Sequence, residues 1–182
     1  MATRMAAATT ATKGPTRLHL AVKKLISMEG ATREALAPVT GKLRAHTEYL
    51  TVTTELRYQM VHMTQQVKEI VARSGVHDGF CYIVPMHNTA AVYLNDNKVG
   101  LNRDIARWLE EKSPKWPEYQ QRNEGEEIAD AHLKGVMMHH ETTLPVTGGR
   151  LDLGTWQKIF YAEFDGQRPK RIIVKVMGVA KE

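Results

Sequence analysis

Residues 130–168 read DAHLKGVMMHHETTLPVTGGRLDLGTWQKIFYAEFDGQR. Ala129, Leu133, Val136 and Met137 recur at helical spacing, so a helix opens the stretch. Strands follow near 141–147, 155–164 and 170–177. Gly148-Gly149-Arg150 suits a tight hairpin turn, where glycine supplies positive φ. Within 155–164, Trp156, Phe160, Ala162 and Phe164 share one parity and are expected to face the core. Gln157, Tyr161 and Glu163 share the other parity, which turns Glu163 toward a cleft or toward solvent.

Reading outward, residues 46–57 (HTEYLTVTTELR) form a strand and 58–63 a second. Thr64 is placed to cap a helix carrying Val67, Ile70 and Val71, which Ser74-Gly75 stops. Residues 79–86 (GFCYIVPM) read as a buried strand and 90–94 (AAVYL) as its partner or continuation. Leu101, Ile105, Trp108 and Leu109 mark another helix, ended at Ser113-Pro114, with a loop over 114–127. Hairpin-like strand pairs outnumber helix-separated strands. That favours an α+β fold, a largely antiparallel β-sandwich with flanking helices, over a doubly wound parallel sheet.

Before this domain, residues 1–16 contain five Ala and five Thr and cannot build a core. Leu18, Val22, Leu25 and Ile26 then form an amphipathic helical stripe. The chain thus divides into an N-terminal extension, residues 1–43, and a domain, residues 44–182. The chain carries 25 basic and 20 acidic residues. Five of the basic residues (Arg4, Lys13, Arg17, Lys23 and Lys24) lie within residues 1–28, which hold no acid. The remaining 154 residues are therefore balanced at 20 and 20, which argues against a nucleic-acid footprint on the domain. No apolar run approaches the roughly 18 residues that span a bilayer. The single Cys81 excludes an internal disulfide and sits among apolar neighbours. A cytoplasmic protein is expected; if the basic, acid-free residues 1–28 are a targeting peptide, a mitochondrion or another organelle is the alternative.

Several side chains carry possible chemistry. His87 follows an apolar strand and precedes small polar residues, so it either reaches a cleft or bonds to nearby backbone. If Asp130 and His132 both lie within the helix they point about 200° apart and share no site; if Asp130 is instead the N-cap, its carboxylate caps backbone N–H groups and leaves His132 in the first turn, near donors that suit an anion. His139 and His140 fit a helix C-terminus, which favours basic groups. Glu124, Glu126 and Glu127 form a solvated loop or lend a ligand to a cation. Arg150 after its turn either forks onto a phosphate or is exposed. No P-loop, dinucleotide glycine fingerprint, paired-Cys zinc spacing or GxSxG elbow is present.

Taken together, Ala129-Asp130-Ala131-His132, Leu144-Pro145-Val146, Gly149-Arg150-Leu151, Gly154-Thr155-Trp156-Gln157 and Glu163-Phe164-Asp165-Gly166 resemble the YjbQ-like family, also called the secondary thiamine-phosphate synthase family. Met86-His87-Asn88-Thr89-Ala90-Ala91 resembles its upstream His-Thr-Thr-Ala box, and Asn95-Asp96 a following Asn-Glu step. The resemblance covers roughly residues 46–178. It implies a β-sandwich, a homotrimer, and a histidine site with a divalent metal, zinc or magnesium, held by His87 and His132. It also implies a weak transferase activity that joins a pyrimidine-methyl diphosphate to a thiazole phosphate. On that reading His87, His132, Asp130 and Glu163 are catalytic, and Thr89, Arg122, Arg150 and Thr155 hold the small phosphorylated substrate or cofactor. Two departures stand out. Arg122 occupies the place of a further family histidine, and Asn88 replaces the first Thr of the box. The alternative is a non-catalytic trimeric scaffold that binds a metal or an anion.

Overall fold

Strand β8 (Lys170–Ala180) is the spine of the larger sheet, pairing with β1 (Leu43–Val52) on one side and β3 (Val76–Pro85) on the other. Beyond β3 come β5 (Thr142–Thr147) and the short β6 (Arg150–Leu151), giving the order β1-β8-β3-β5-β6. The second sheet has three strands in the order β2 (Gln59–His62), β7 (Lys158–Glu163), β4 (Ala90–Asn95). Every pairing is antiparallel. Among the described residues three helices accompany them: α1 (Thr64–Ser74), α2 (Val99–Lys112) and α3 (Ala129–Met138). The structure, a computed structural model, describes residues 34–115, 119 and 128–180. The helical stripe at 18–26, Arg122 and Glu124, Glu126 and Glu127 lie outside these residues.

The alternation expected of a half-buried strand appears in β8, where Ile172, Val174 and Val176 are buried and their neighbours are less so. These three pack with Cys81 and Ile83 of β3, Val67, Ile70 and Val71 of α1, and Ile159 and Tyr161 of β7. Burial raises the Cys81 thiol to about 12, so it behaves as a small hydrophobe. A second core lies on the opposite face of the small sheet. There Phe160 and Ala162 of β7 meet Ala91 and Tyr93 of β4, Leu109 of α2 and Ala131 of α3. The small sheet is therefore a middle layer, covered on both faces.

That arrangement corrects two expectations about β7. Odd and even residues are both buried, because each parity has its own core. Trp156 is not a core residue: the strand begins at Lys158, and Trp156 stands 70% exposed on the loop before it. The first strand is also shorter than expected, ending at Val52 instead of continuing to Arg57. Thr64 starts α1 but does not cap it. Its hydroxyl accepts the backbone N–H of Ile159 at 2.8 Å, tying the helix to the middle sheet. Gly75 ends α1 with φ 68°, as its position predicts.

Candidate functional site

Three chain ends converge where the middle sheet meets the large one. The β3–β4 connection brings His87 and Thr89, the end of β7 brings Tyr161 and Glu163, and the start of β8 brings Lys170. The register pairs Ala90 with Glu163, which fixes Thr89 beside that carboxylate. Glu163 and Tyr161 are almost wholly buried, and Lys170 is 9% exposed.

Unpaired charge at such depth would cost several kcal/mol, so the bonding of each group matters. Glu163 Oε1 accepts backbone N–H groups of Phe164 at 3.1 Å and Asp165 at 2.9 Å. It also faces Lys170 Nζ at 3.4 Å, and its Oε2 accepts the Tyr161 hydroxyl. Lys170 donates to Thr89 Oγ1 at 3.0 Å and lies 3.4 Å from His87 Nδ1. The His87 tautomer follows from these donors. Tyr161 gives its proton to Glu163, so its oxygen accepts from His87 Nε2–H, 3.0 Å away. His87 Nδ1 then carries the lone pair and faces the Thr89 hydroxyl at 3.2 Å. Burial, and next the Lys170 charge, lower the imidazole from 6.5 to about 4, so it is neutral at pH 7. Burial, and then the Glu163 carboxylate, push the Tyr161 phenol far above its ordinary range.

A second network begins one turn of chain away. Asp165 lies 3.8 Å from Arg57 Nε, and Arg57 Nη2 donates to Asp130 Oδ1 at 3.1 Å. Asp130 Oδ2 accepts both the Tyr58 hydroxyl and Lys134 Nζ, the latter at 3.0 Å. Lys134, 2% exposed, also donates to the Ser113 carbonyl at 2.7 Å and meets Glu110 at 3.0 Å. Burial alone would raise the Asp130 carboxyl; the bonds from Tyr58 and Lys134 outweigh it and hold the carboxyl low. Two glycines allow this close assembly. A Cβ on Gly166 would sit 1.9 Å from Thr54 Oγ1 and 2.7 Å from the Leu56 carbonyl, so only glycine lets the 54–57 loop reach the Glu163–Asp165 corner. A Cβ on Gly135 would sit 2.7 Å from the Asn88 carbonyl, so only glycine lets α3 lie against the segment after His87.

The family model for UPF0047 protein YjbQ-like matches residues 48–179. The chain belongs to this YjbQ-like family. A UPF0047 protein of Methanothermobacter thermautotrophicus is 36% identical over 136 residues, covering 75% of this chain and 94% of the relative. The UPF0047 protein YugU of Bacillus subtilis is 32% identical, covering 71% and 97%. Among solved structures, a YbjQ-like protein of unknown function from Sulfolobus solfataricus superposes with a TM-score of 0.73 at 33% identity, covering 75% of this chain and 99% of that one. A hypothetical protein from Aeropyrum pernix gives 0.70 at 33% identity, covering 73% and 98%.

In this YjbQ-like chain the expected site residues separate into groups. His87, Thr89 and Glu163 meet directly, and Asp130 joins them through Arg57 and Asp165. His132 lies in the first turn of α3, half-buried, and no side-chain bond links it to the His87 corner. Thr155 sits beyond the far end of the β4–β7 pair, roughly 17 Å along the strands from Glu163. Arg150 lies at the far end of the large sheet, opposite Thr147 and next to the β3 end that carries Gly79, roughly 20 Å from His87. Within one chain the His87 corner does not suit a divalent cation. Both ring nitrogens are engaged, an ammonium faces Nδ1, and among the described residues no three His, Cys, Asp or Glu side chains cluster as metal ligands.

Sequence reasoning missed Lys170, Lys134, Arg57 and Tyr58. Two of them left a trace. Lys134 falls four residues after Asp130 on one helix face. Lys170 shares the inward parity of Ile172, Val174 and Val176, a charge at a core position.

Proposed function

We propose that the chain is a small-molecule transferase acting on phosphorylated substrates at the His87 corner, with weak thiamine-phosphate-synthase-like activity, in a homotrimer. The observation that carries this reading is the neutral His87 imidazole, still 16% exposed, backed by the buried Lys170–Glu163 pair. Strongly displaced titrations concentrate at functional sites, and here the displaced imidazole is also reachable from solvent and set beside a buried ion pair. In the proposed reaction a C–N bond forms between the pyrimidine methylene and the thiazole nitrogen. The methylene–oxygen bond breaks, and diphosphate leaves with both electrons. Negative charge grows on that leaving group, and Lys170 and Arg168 supply cations beside His87. His87 Nδ1 carries the lone pair that faces the Thr89 hydroxyl and Lys170, so its role is to orient those two groups toward the leaving group.

Purified protein incubated with the pyrimidine-methyl diphosphate and the thiazole phosphate is expected to form thiamine phosphate, measured by fluorescence after oxidation. His87→Ala and Lys170→Ala are each expected to lower the rate by about 100-fold or more. Product formation unchanged in both variants would overturn the reading. A mass measurement in solution tests the trimer.

The second reading is a non-catalytic trimeric scaffold that binds an anion. It draws support from the bonding itself, since protein groups already occupy both His87 nitrogens. Phosphate affinity without turnover would favour it.

A further inference from the structure

Helix α2 buries little of its apolar face. Leu109 is its one fully buried residue among 14, although Leu101, Ile105 and Trp108 share its stripe. Its C-terminal end is clamped: Ser113 Oγ donates to the Asp130 carbonyl, and Lys134 reaches both the Ser113 carbonyl and Glu110. Toward its N-terminus the helix stands off the middle sheet, and a cavity of about 560 Å³ lies beneath it. Tyr58, Met60, Leu109 and Phe164 contribute apolar walls, and Lys134 and Glu163 are buried residues of the lining. This volume falls within the ~300–1,000 Å³ typical of small-molecule pockets.

The charges around the cavity narrow what it would hold. Lys134 is matched by Asp130 and Glu110, and Glu163 by Lys170. Among the charged lining residues only Arg103 has no ion pair with a described residue. It is exposed on α2 beside the apolar residues Val99 and Ala106. An apolar chamber bordered by one unmatched cation is complementary to an amphipathic anion.

We propose that this cavity binds a small amphipathic acid, an apolar body of roughly eight to ten carbons bearing one carboxylate or phosphate, with the anion at Arg103. The inference stands apart from the transferase reading, because it needs neither His87 nor turnover. Because Glu163 and Phe164 line the cavity, a bound acid lies close to the His87 corner without touching its imidazole.

Calorimetric titration of the full chain with octanoate, octyl phosphate, octanol and octyltrimethylammonium tests the proposal. At least one of the two anions is expected to bind saturably at one per chain. The arm that binds more tightly tells carboxylate from phosphate. Octanol and the cation are expected to bind at least about tenfold more weakly. Arg103→Ala is expected to lower anion affinity about tenfold and leave octanol unchanged. Ala106→Trp, which fills the cavity from an exposed position, is expected to abolish binding. If that variant unfolds, Val99→Trp at the rim serves instead. Equal affinity for octanol, undiminished binding in a folded filling variant, or no saturable binding of either anion would overturn the proposal. Loss of oligomer mass in the filling variant, with no anion binding by the parent chain, would assign the cavity to a second copy and overturn it equally.

Discussion

The Asp130 network and the His87 corner are joined by one ion pair, Arg57–Asp165, yet they use charge differently. Around Asp130 the bonding is saturated. Lys134 places its three protons on the Ser113 carbonyl, Asp130 and Glu110. Both Asp130 oxygens are taken as well, by Arg57 on one side and by Tyr58 and Lys134 on the other. Both Asp130 oxygens and the Lys134 ammonium are thus used, and the network holds α2 and α3 to the segment that leads into β2. Around His87 the ion pair of Lys170 and Glu163 is equally buried, but it frames a group held neutral far from its ordinary pKa. The His87 side chain is still 16% exposed, whereas Asp130 is 1% exposed; a buried saturated network acts as a clamp, and one around a reachable titratable group can answer to a proton. The contrast predicts that damage to the first appears as lost stability and damage to the second as altered protonation.

The largest effect should come from breaking the clamp. Asp130→Ala removes the buried acceptor that Arg57, Tyr58 and Lys134 share, leaving Lys134 to Glu110 and the Ser113 carbonyl, and is expected to cost about 3–5 kcal/mol in urea unfolding. A cost below about 1 kcal/mol would remove the distinction, because Asp130 would then be dispensable to the fold.

The His87 corner should show itself through pH. Folding depresses the imidazole from 6.5 to about 4, so the unfolded chain binds this proton more readily than the folded one. The contribution is fully present above about pH 6.5 and is lost as pH falls toward 4. Its size is on the order of 3 kcal/mol. Unfolding free energies across that window, compared with those of His87→Gln, isolate it. The variant should lack the slope; parallel curves would place His87 near its ordinary pKa. A smaller effect, about 1–3 kcal/mol, is expected for Gly166→Ala, whose methyl would drive the 54–57 loop from the corner that joins the two networks. Unchanged stability would mean that this loop yields freely.

How much of this was legible beforehand depended on the range of each interaction. The strands, the stop of α1 at Gly75 and the antiparallel class follow from local patterns, and the family follows from ordered motifs. The double burial of β7 does not. Alternation puts Tyr161 and Glu163 on one parity, but no local pattern says that a second core waits on the opposite face. Trp156 illustrates the reverse error: a large aromatic in a strand-like run belongs to an exposed loop. Within the site, His87, Glu163 and Asp130 were legible as unusual residues in a motif. Their partners were not, because Lys170 lies 83 residues from His87 and Tyr58 lies 72 from Asp130. Pairing of the distant strands β3 and β8 brings the first pair together, and packing of α3 on the middle sheet brings the second.

The smallest expected effect concerns Arg150, which the motif and the geometry treat differently. Its sequence neighbours tie it to the most distinctive part of the chain, but the β5–β6 hairpin holds it roughly 20 Å from His87. It is exposed and next to Lys68 around a shallow surface depression. An exposed arginine so placed acts on the His87 corner of its own chain only through screened, long-range charge. Arg150→Ala should therefore change stability by no more than about 0.5 kcal/mol and leave the proposed thiamine-phosphate formation within about twofold. A tenfold fall in turnover with stability intact would require Arg150 to reach the corner of another copy. Mixing the Arg150→Ala and His87→Ala chains, each impaired by itself, would then raise activity above that of either alone, and the site would belong to the assembly and not to the single chain.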